Sequence, residues 1–460
     1  MSHRAKGRTP PSWACIAAMA LIRGGAVWGA CEAPQFGAQQ AHGAGRYPIA
    51  VAVADLNADG RPDIITANQQ GPSVSVLLAQ AEGGFAPKVD YPLADFPFAV
   101  AVEDVTRDAA PDIVAAVRGR FFGYVSVFVG KKDGTFLAPM DYVVGDEPSD
   151  VVIGDFNGDQ KPDIATCNQG ERVGSQDLAS ITVLLGHGDG GFGAGVDYMV
   201  GADTYPHALA TADLNGDTFL DLVTTNLERA PVGVRVLLGN GGGGFGQPVQ
   251  YDTASRPLRL AIADINGDAT PDVVASTAGN GETGSVALLR GLGGGAFAAA
   301  VDHETGAAPY GLAVGDVNRD GHTDAVSAGY AAGTVHVLLN DGAGALAAKV
   351  DFPVEGNPYS VAIADLNGDG AADIVTANYN DPGTVSVLLN TCSGGDGGLT
   401  AADVARALQQ AAGILESSTP DLARFDLVQD GRVTLEDAAR VARIVAGLDA
   451  APEHGTAKGP

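Results

Sequence analysis

One acidic loop returns seven times along this 460-residue chain, written out as Asp365-Leu366-Asn367-Gly368-Asp369-Gly370-Ala371-Ala372-Asp373 in its last copy. The copies begin at Asp55, Asp104, Asp155, Asp213, Asp264, Asp316 and Asp365, at intervals of 49, 51, 58, 51, 52 and 49 residues. A unit of about 50 residues has therefore been repeated, which restricts the chain to an array of equivalent modules. Apolar alternation at the two-residue period of strands flanks each loop, as in Val51-Ala52-Val53-Ala54 and Ile64-Ile65-Thr66-Ala67. Each loop thus closes a β-hairpin. A third run follows, Val74-Ser75-Val76-Leu77-Leu78 in the first unit and Val385-Ser386-Val387-Leu388-Leu389 in the last. A Gly-rich turn and a Phe-led segment such as Phe85-Ala86-Pro87-Lys88-Val89-Asp90-Tyr91 end the unit. Four short strands per repeat and seven repeats predict an all-β, seven-bladed β-propeller of four-stranded blades. The 64 Gly, scattered through the repeats, serve its turns.

The last unit stops after Leu389-Asn390 without its Phe-led segment, while residues from Pro34-Gln35-Phe36-Gly37 to Pro48 look like an orphan copy of that segment. The N-terminal stretch is expected to complete the last blade, so that closure removes the open edge. Antiparallel pairing of that strand brings Cys31 and Cys392 to one edge and predicts a disulfide between them in an oxidising compartment. Two free thiols, or a lipidated Cys31 after the poor lipobox Trp28-Gly29-Ala30, are the alternatives.

Chemistry is concentrated in the loops. Carboxylates stand at positions 1, 5 and 9, with an amide or hydroxyl oxygen at position 3. The candidate ligands are Asp55, Asn57, Asp59 and Asp63; Asp104, Thr106, Asp108 and Asp112; Asp155, Asn157, Asp159 and Asp163; and Asp213, Asn215, Asp217 and Asp221. The last three loops add Asp264, Asn266, Asp268 and Asp272; Asp316, Asn318, Asp320 and Asp324; and Asp365, Asn367, Asp369 and Asp373. Hard oxygen donors at short intervals on a turning backbone suit Ca2+, with a carbonyl from position 7 (Arg61, Lys161 or Ala371) as a further donor. Magnesium prefers a smaller, near-octahedral shell. Ordinary Asp-Gly turns need one or two Asp. Three carboxylates in each loop repel one another unless a cation joins them. Position 6 is Gly only at Gly60, Gly321 and Gly370, and is Ala109, Gln160, Thr218 or Ala269 elsewhere, where a left-handed backbone favours Gly. Thr106 and Ala109 make the second loop the weakest.

The chain ends differ in composition. Residues 1–29 carry Arg4, Lys6 and Arg8, an apolar run from Trp13 to Ile22, and small residues spaced for cleavage, which reads as a secretory signal peptide interrupted by Arg23. After the propeller, expected over 31–391, residues 392–450 turn to helix formers, and 451–460 read as a disordered tail. Asp426, Asp430, Thr434 and Asp437 stand at positions 1, 5, 9 and 12 of a twelve-residue calcium loop with Gly431 at position 6, but Val428 replaces the third ligand. The preceding loop keeps only Asp396, Gly397 and Asp403. This paired loop-helix, EF-hand-like module resembles dockerins, which implies a cohesin-like partner; a degenerate helical pair capping the propeller is the other reading.

The Asp-x-Asn-x-Asp-Gly-x-x-Asp loops and Phe-led strands together resemble the FG-GAP or VCBS repeat family, over residues from about 35 to 391. Members include the head of integrin α-subunits, certain fungal lectins and many secreted bacterial proteins. The resemblance implies a calcium-binding propeller; it does not imply one ligand.

A formal charge of −28 opposes nucleic acid. Filling seven sites with Ca2+ would leave about −14, which still repels anionic membranes. No His-Glu-x-x-His or Gly-x-Ser-x-Gly motif occurs, the eight His are scattered, and no segment reaches membrane-spanning length. An enzyme, such as a polysaccharide lyase or hydrolase, would need a site assembled from separate blades. The expected function is a secreted or cell-surface binding and adhesion module for glycan or protein ligands. The alternative is a scaffold docking through its C-terminal module in a polysaccharide-degrading assembly. Because the metal loops share one face, the ligand face is sought opposite, where the repeats differ. Its candidates are Phe98, Arg120, Phe122, His207, Tyr310, Tyr359 and Tyr379.

Overall fold

The computed structural model describes residue 31 and residues 33–392, apart from residues 171, 174–175, 178, 202–203, 228–230, 280–282 and 307–308. The signal-peptide reading of 1–29, the helical module with Asp426, Asp430 and Asp437, and the tail lie outside the described residues.

Seven antiparallel four-stranded sheets follow one another. Blade 1 comprises Arg46–Ala54, Asp63–Gln70, Ser73–Leu77 and Val89–Pro92; blade 2 comprises Phe96–Glu103, Asp112–Arg118, Gly123–Phe128 and Met140–Val143. Blade 3 comprises Pro148–Gly154, Asp163–Asn168, Ser180–Leu184 and Val196–Met199; blade 4 comprises Leu209–Ala212, Asp221–Asn226, Gly233–Leu237 and Val249–Asp252. Blade 5 comprises Arg256–Ala263, Asp272–Ala278, Gly284–Leu289 and Val301–Gly306; blade 6 comprises Pro309–Gly315, Asp324–Gly329, Thr334–Leu338 and Val350–Pro353. Blade 7 comprises Pro358–Ala364, Asp373–Asn378 and Thr384–Leu388, and its fourth strand is the N-terminal Gln40–Gly43.

The expected closure is seen in register. Gln40 faces Val387 and Gly43 faces Thr384, and Phe36 bridges Asn390 beyond them. The first strands touch in order around the ring, and that of blade 7 meets that of blade 1, so they line the centre. Cys31 and Cys392 are joined by a disulfide with a Cα separation of 6.1 Å.

The core lies between blades. Val114, Val125 and Val127 of blade 2 pack with Ile164, Leu184 and Phe192 of blade 3, and Val375, Val385 and Val387 of blade 7 with Ile64 and Leu77 of blade 1. The recurrent Phe acts in this seam. Fourth-strand Tyr91, Tyr142, Tyr198 and Tyr251 meet Phe136, Phe192, Phe245 and Phe297 of the next blade edge-to-face at 5.2–5.4 Å. Three of these tyrosines also donate to the next blade's turn carbonyls: Tyr142 to Gly190 at 3.0 Å, Tyr198 to Gly243 at 2.9 Å and Tyr251 to Gly295 at 3.3 Å. Ring contact and hydrogen bond together fix the spacing of successive blades.

Candidate functional site

Two faces carry chemistry. On the first, the acidic loops join the first and second strands of each blade. Position 1 caps its own loop: Asp365 Oδ1 accepts the amides of Gly368 and Asp369 at 2.8 and 3.1 Å, and Oδ2 that of Gly370 at 2.7 Å. Asn367 Oδ1 accepts the Asp369 amide at 2.9 Å, and Asp369 Oδ1 that of Ala371 at 2.7 Å. This wrapping needs a left-handed turn at position 6. There φ lies between 62° and 84° in all seven loops, including those with Ala109, Gln160, Thr218 and Ala269.

Position 9 is different. Asp63, Asp112, Asp163, Asp221, Asp272, Asp324 and Asp373 are fully buried. Each accepts two backbone amides, one from loop position 2 or 3 and one just past the third strand. Asp63 takes Leu56 and Ala79 at 2.9 and 2.7 Å, and Asp373 takes Leu366 and Asn390 at 2.8 and 2.7 Å. The other five repeat the pattern. Burial raises all seven pKa values, to about 6 for Asp63, Asp163 and Asp373 and to about 7 for Asp324, against the lowering effect of the donated amides.

The donor chemistry of the loops fits calcium, being all oxygen, and the position 9 carboxylate, which accepts one N–H per oxygen, keeps lone pairs for a cation. Among the described residues, no three His, Cys, Asp or Glu side chains are gathered into a group that could hold a metal ion. The loops are closed on their own amides.

The opposite face is shaped by a proline that recurs where each first strand begins. A proline has no amide to give the ladder. Register slips by one residue after Pro48, Pro97, Pro148, Pro257, Pro309 and Pro358, which leaves the next residue unpaired in a bulge. Bulges re-aim side chains. The bulged positions include Phe98, Tyr310 and Tyr359, and Arg118, Tyr330 and Tyr379 end or follow the adjacent second strands.

Five tyrosines gather there. Tyr310 lies 4.9 Å from Tyr359 and 5.0 Å from Tyr330 between ring centroids; Tyr379 lies 5.5 Å from Tyr359 and 4.9 Å from Tyr47. The Tyr379 hydroxyl donates to Gln69 at 2.8 Å, which links blade 7 to blade 1. Phe98 joins Tyr359 and Tyr379 over Ile49, Ala50 and Ala67, and the Arg118 guanidinium lies 3.6 Å from the Phe98 ring centroid.

The charged side chains nearby and the remaining candidates, His207, Arg120 and Phe122, are less available. Arg118 donates to Gln169 at 2.7 Å and pairs with Glu147 at 3.6 Å, and burial lowers its pKa. Arg259 donates to the His207 carbonyl at 3.2 Å, and the Arg259 guanidinium and the Leu258 carbonyl each lie 3.0 Å from His207 Nδ1. Burial, with the nearby charges of Arg259 and Arg118, pushes His207 down to about 3. Arg120 and Phe122 stand apart, on the exposed hairpin between the second and third strands of blade 2. Sequence reading thus found Phe98, Tyr310, Tyr359 and Tyr379 in one place, but not Tyr47, Arg118 or Arg259. Tyr47 and Arg259 flank the repeated proline segment, so comparing the residues around that proline, repeat against repeat, would have found both.

These features define a closed seven-bladed propeller with a conserved-pattern loop face and a variable aromatic mouth. Residues 55–115, 104–166 and 316–376 each match the FG-GAP-like repeat family. The chain is a seven-bladed β-propeller in which these three segments are FG-GAP-like repeats, an architecture that typically serves as a non-catalytic binding scaffold. No curated protein matches it. Among solved structures, BBS1N in its complex with ARL6DN, soaked with lead, is 14% identical with a TM-score of 0.50, covering 79% of this chain and 97% of that one. A functionally unknown protein from Desulfotomaculum acetoxidans is 11% identical with a TM-score of 0.47, over 68% and 91% of the two chains. The Dos1 propeller is 12% identical with a TM-score of 0.45, over 75% and 82%. At 14% identity, the first of these likenesses speaks to the fold alone.

Proposed function

We propose that this protein is a secreted, calcium-stabilised module that binds a glycan or an extracellular protein at the aromatic mouth of its propeller. The tyrosine cluster carries the reading. Tyrosine offers a large, rigid face and a hydroxyl at low entropic cost, the combination that binding surfaces favour. Here Tyr47, Tyr310, Tyr330, Tyr359 and Tyr379 converge from three blades beside the proline bulges, and each is half-buried. Binding is favoured over turnover by His207, whose Nδ1 is enclosed between Arg259 and the Leu258 carbonyl and which burial holds neutral far below the range of a useful general base. The Cys31–Cys392 disulfide supports an oxidising compartment.

Calcium would be held by the oxygens of loop positions 1, 3, 5 and 9. Its charge would offset the carboxylates and stiffen the loop face beneath the mouth.

The test is the full chain, in calcium, on a glycan array and a panel of immobilised extracellular proteins. Tyr310→Ala combined with Tyr379→Ala is expected to weaken the strongest interaction by about tenfold or more, the cost of losing ring contacts at a binding hot spot. Arg120→Ala should leave it unchanged. Binding indifferent to the tyrosines, or turnover of a polysaccharide, would overturn the reading.

A further inference from the structure

The repeats also differ at the rim, in a cleft between blades 2 and 3. In six units a polar or charged third-strand residue faces a fourth-strand partner, and three of them show a graded series. In blade 1, Ser75 donates to Asp90 at 2.6 Å, and Lys88, two residues before Asp90, pairs with the same carboxylate. In blade 6, His336 contacts Asp351 at 2.7 Å, and Lys349, again two residues before, pairs with it. In blade 3, Thr182 donates to Asp197 at 2.5 Å, but the lysine position is Gly195. No cation is paired with Asp197 among the described residues. Where a lysine stem would lie there is a cleft of about 460 Å³, lined by Tyr142, Val143 and Val144 of blade 2 and by Thr182, Phe192 and Asp197 of blade 3.

The glycine and the threonine belong together. A Cβ at Gly195 would stand 2.7 Å from Thr182 Cγ2, a methyl that Ser75 lacks. The threonine methyl therefore keeps the position small and the cleft open.

We propose that this cleft receives a lysine side chain from a partner polypeptide, which takes the place of the internal lysine of blades 1 and 6. The ammonium would meet the Asp197 oxygen that Thr182 leaves uncommitted, and the alkyl stem would lie along Val143, Val144 and Phe192. The cleft is of ligand-site size, larger than one alkylammonium needs. Its rim also carries apolar surface: Val143 is 60% exposed, and Met199, on the same strand face as Asp197, is 49% exposed. Those two points favour a lysine with apolar neighbours over a free amine, and the chain's charge of −28 draws a basic partner.

The experiment titrates the full chain, in calcium-saturated buffer, with a capped Leu-Lys-Leu peptide, its ε-acetylated form and cadaverine. The capped peptide is expected to bind, and acetylation to abolish binding. Asp197→Asn keeps an acceptor for Thr182 and should weaken the peptide by about fivefold, the worth of one favourable ion pair. Thr182→Ser with Gly195→Lys rebuilds the blade 1 arrangement and should block the cleft, whereas Thr182→Ser alone should not. Equal binding of the acetylated peptide, indifference to Asp197→Asn, or cadaverine binding as tightly as the peptide would overturn the proposal.

Discussion

A threonine at a positive backbone angle is an expensive choice, and Thr218 sits at φ 75° in the fourth acidic loop. Its β-branched side chain crowds the carbonyl in that region, where glycine meets no such penalty. The residue is exposed and its amide bond to Asp213 is independent of its side chain, so little is lost by removing it. Thr218→Gly should stabilise the protein by about 1 kcal/mol in thermal or denaturant melts, and Ala269→Gly by somewhat less. A loss of stability would mean that the loop relaxes without glycine. Position 6 was legible in the sequence, because three repeats place Gly there. Position 4 was not read, although it is also left-handed at Ala58, Arg107 and Arg319. Arg118 escaped for a related reason: it occurs in one repeat only and lies away from the repeated proline, so no pattern singles it out.

Within each blade the element that matters is the buried carboxylate at loop position 9. It ties the loop to the segment after the third strand through two amides, and so joins three consecutive strands at one point. Without a cation, burial raises these pKa values above those of the unfolded chain. The folded state then binds more protons than the unfolded one. The stabilising contribution is complete below the unfolded carboxylate range and is lost as pH rises through about 6 to 7. In a chelated sample the melting temperature should therefore rise as pH is lowered from about 8 to about 6.5, a window above the ordinary histidine pKa. Saturating calcium, which favours ionised carboxylates, should flatten or reverse that slope. A chelated protein whose melting point falls on mild acidification would contradict the raised pKa values. The structure shows this aspartate as an amide clasp, whereas spacing alone had suggested only a metal ligand.

At the scale of the molecule, closure by Gln40–Gly43 makes the first and last blades mutually dependent. Calcium bound only by the folded ring would add about 2.7 kcal/mol for each site at a hundredfold excess over its Kd. EGTA should accordingly lower the melting temperature of the full chain, and Asp369→Ala should cost more than Asp108→Ala, since Thr106 and Ala109 weaken the second loop's ligand set. Melting unchanged by EGTA after exhaustive dialysis would remove calcium from the account.

The sequence by itself determined the seven blades, their four strands, the strand that closes the ring and the face on which the loops lie. These follow from short-range periodicity, which a linear pattern records directly. Tertiary structure alone decided which variable residues meet. Tyr47 and Tyr379 are 332 positions apart, yet their ring centroids are 4.9 Å apart. The bulges turn Phe98 and Tyr359 toward one another's surroundings but leave Arg120 and Phe122 on a separate hairpin. Closing a ring converts distance along the chain into position around a circle, and side-chain convergence exists only after that conversion.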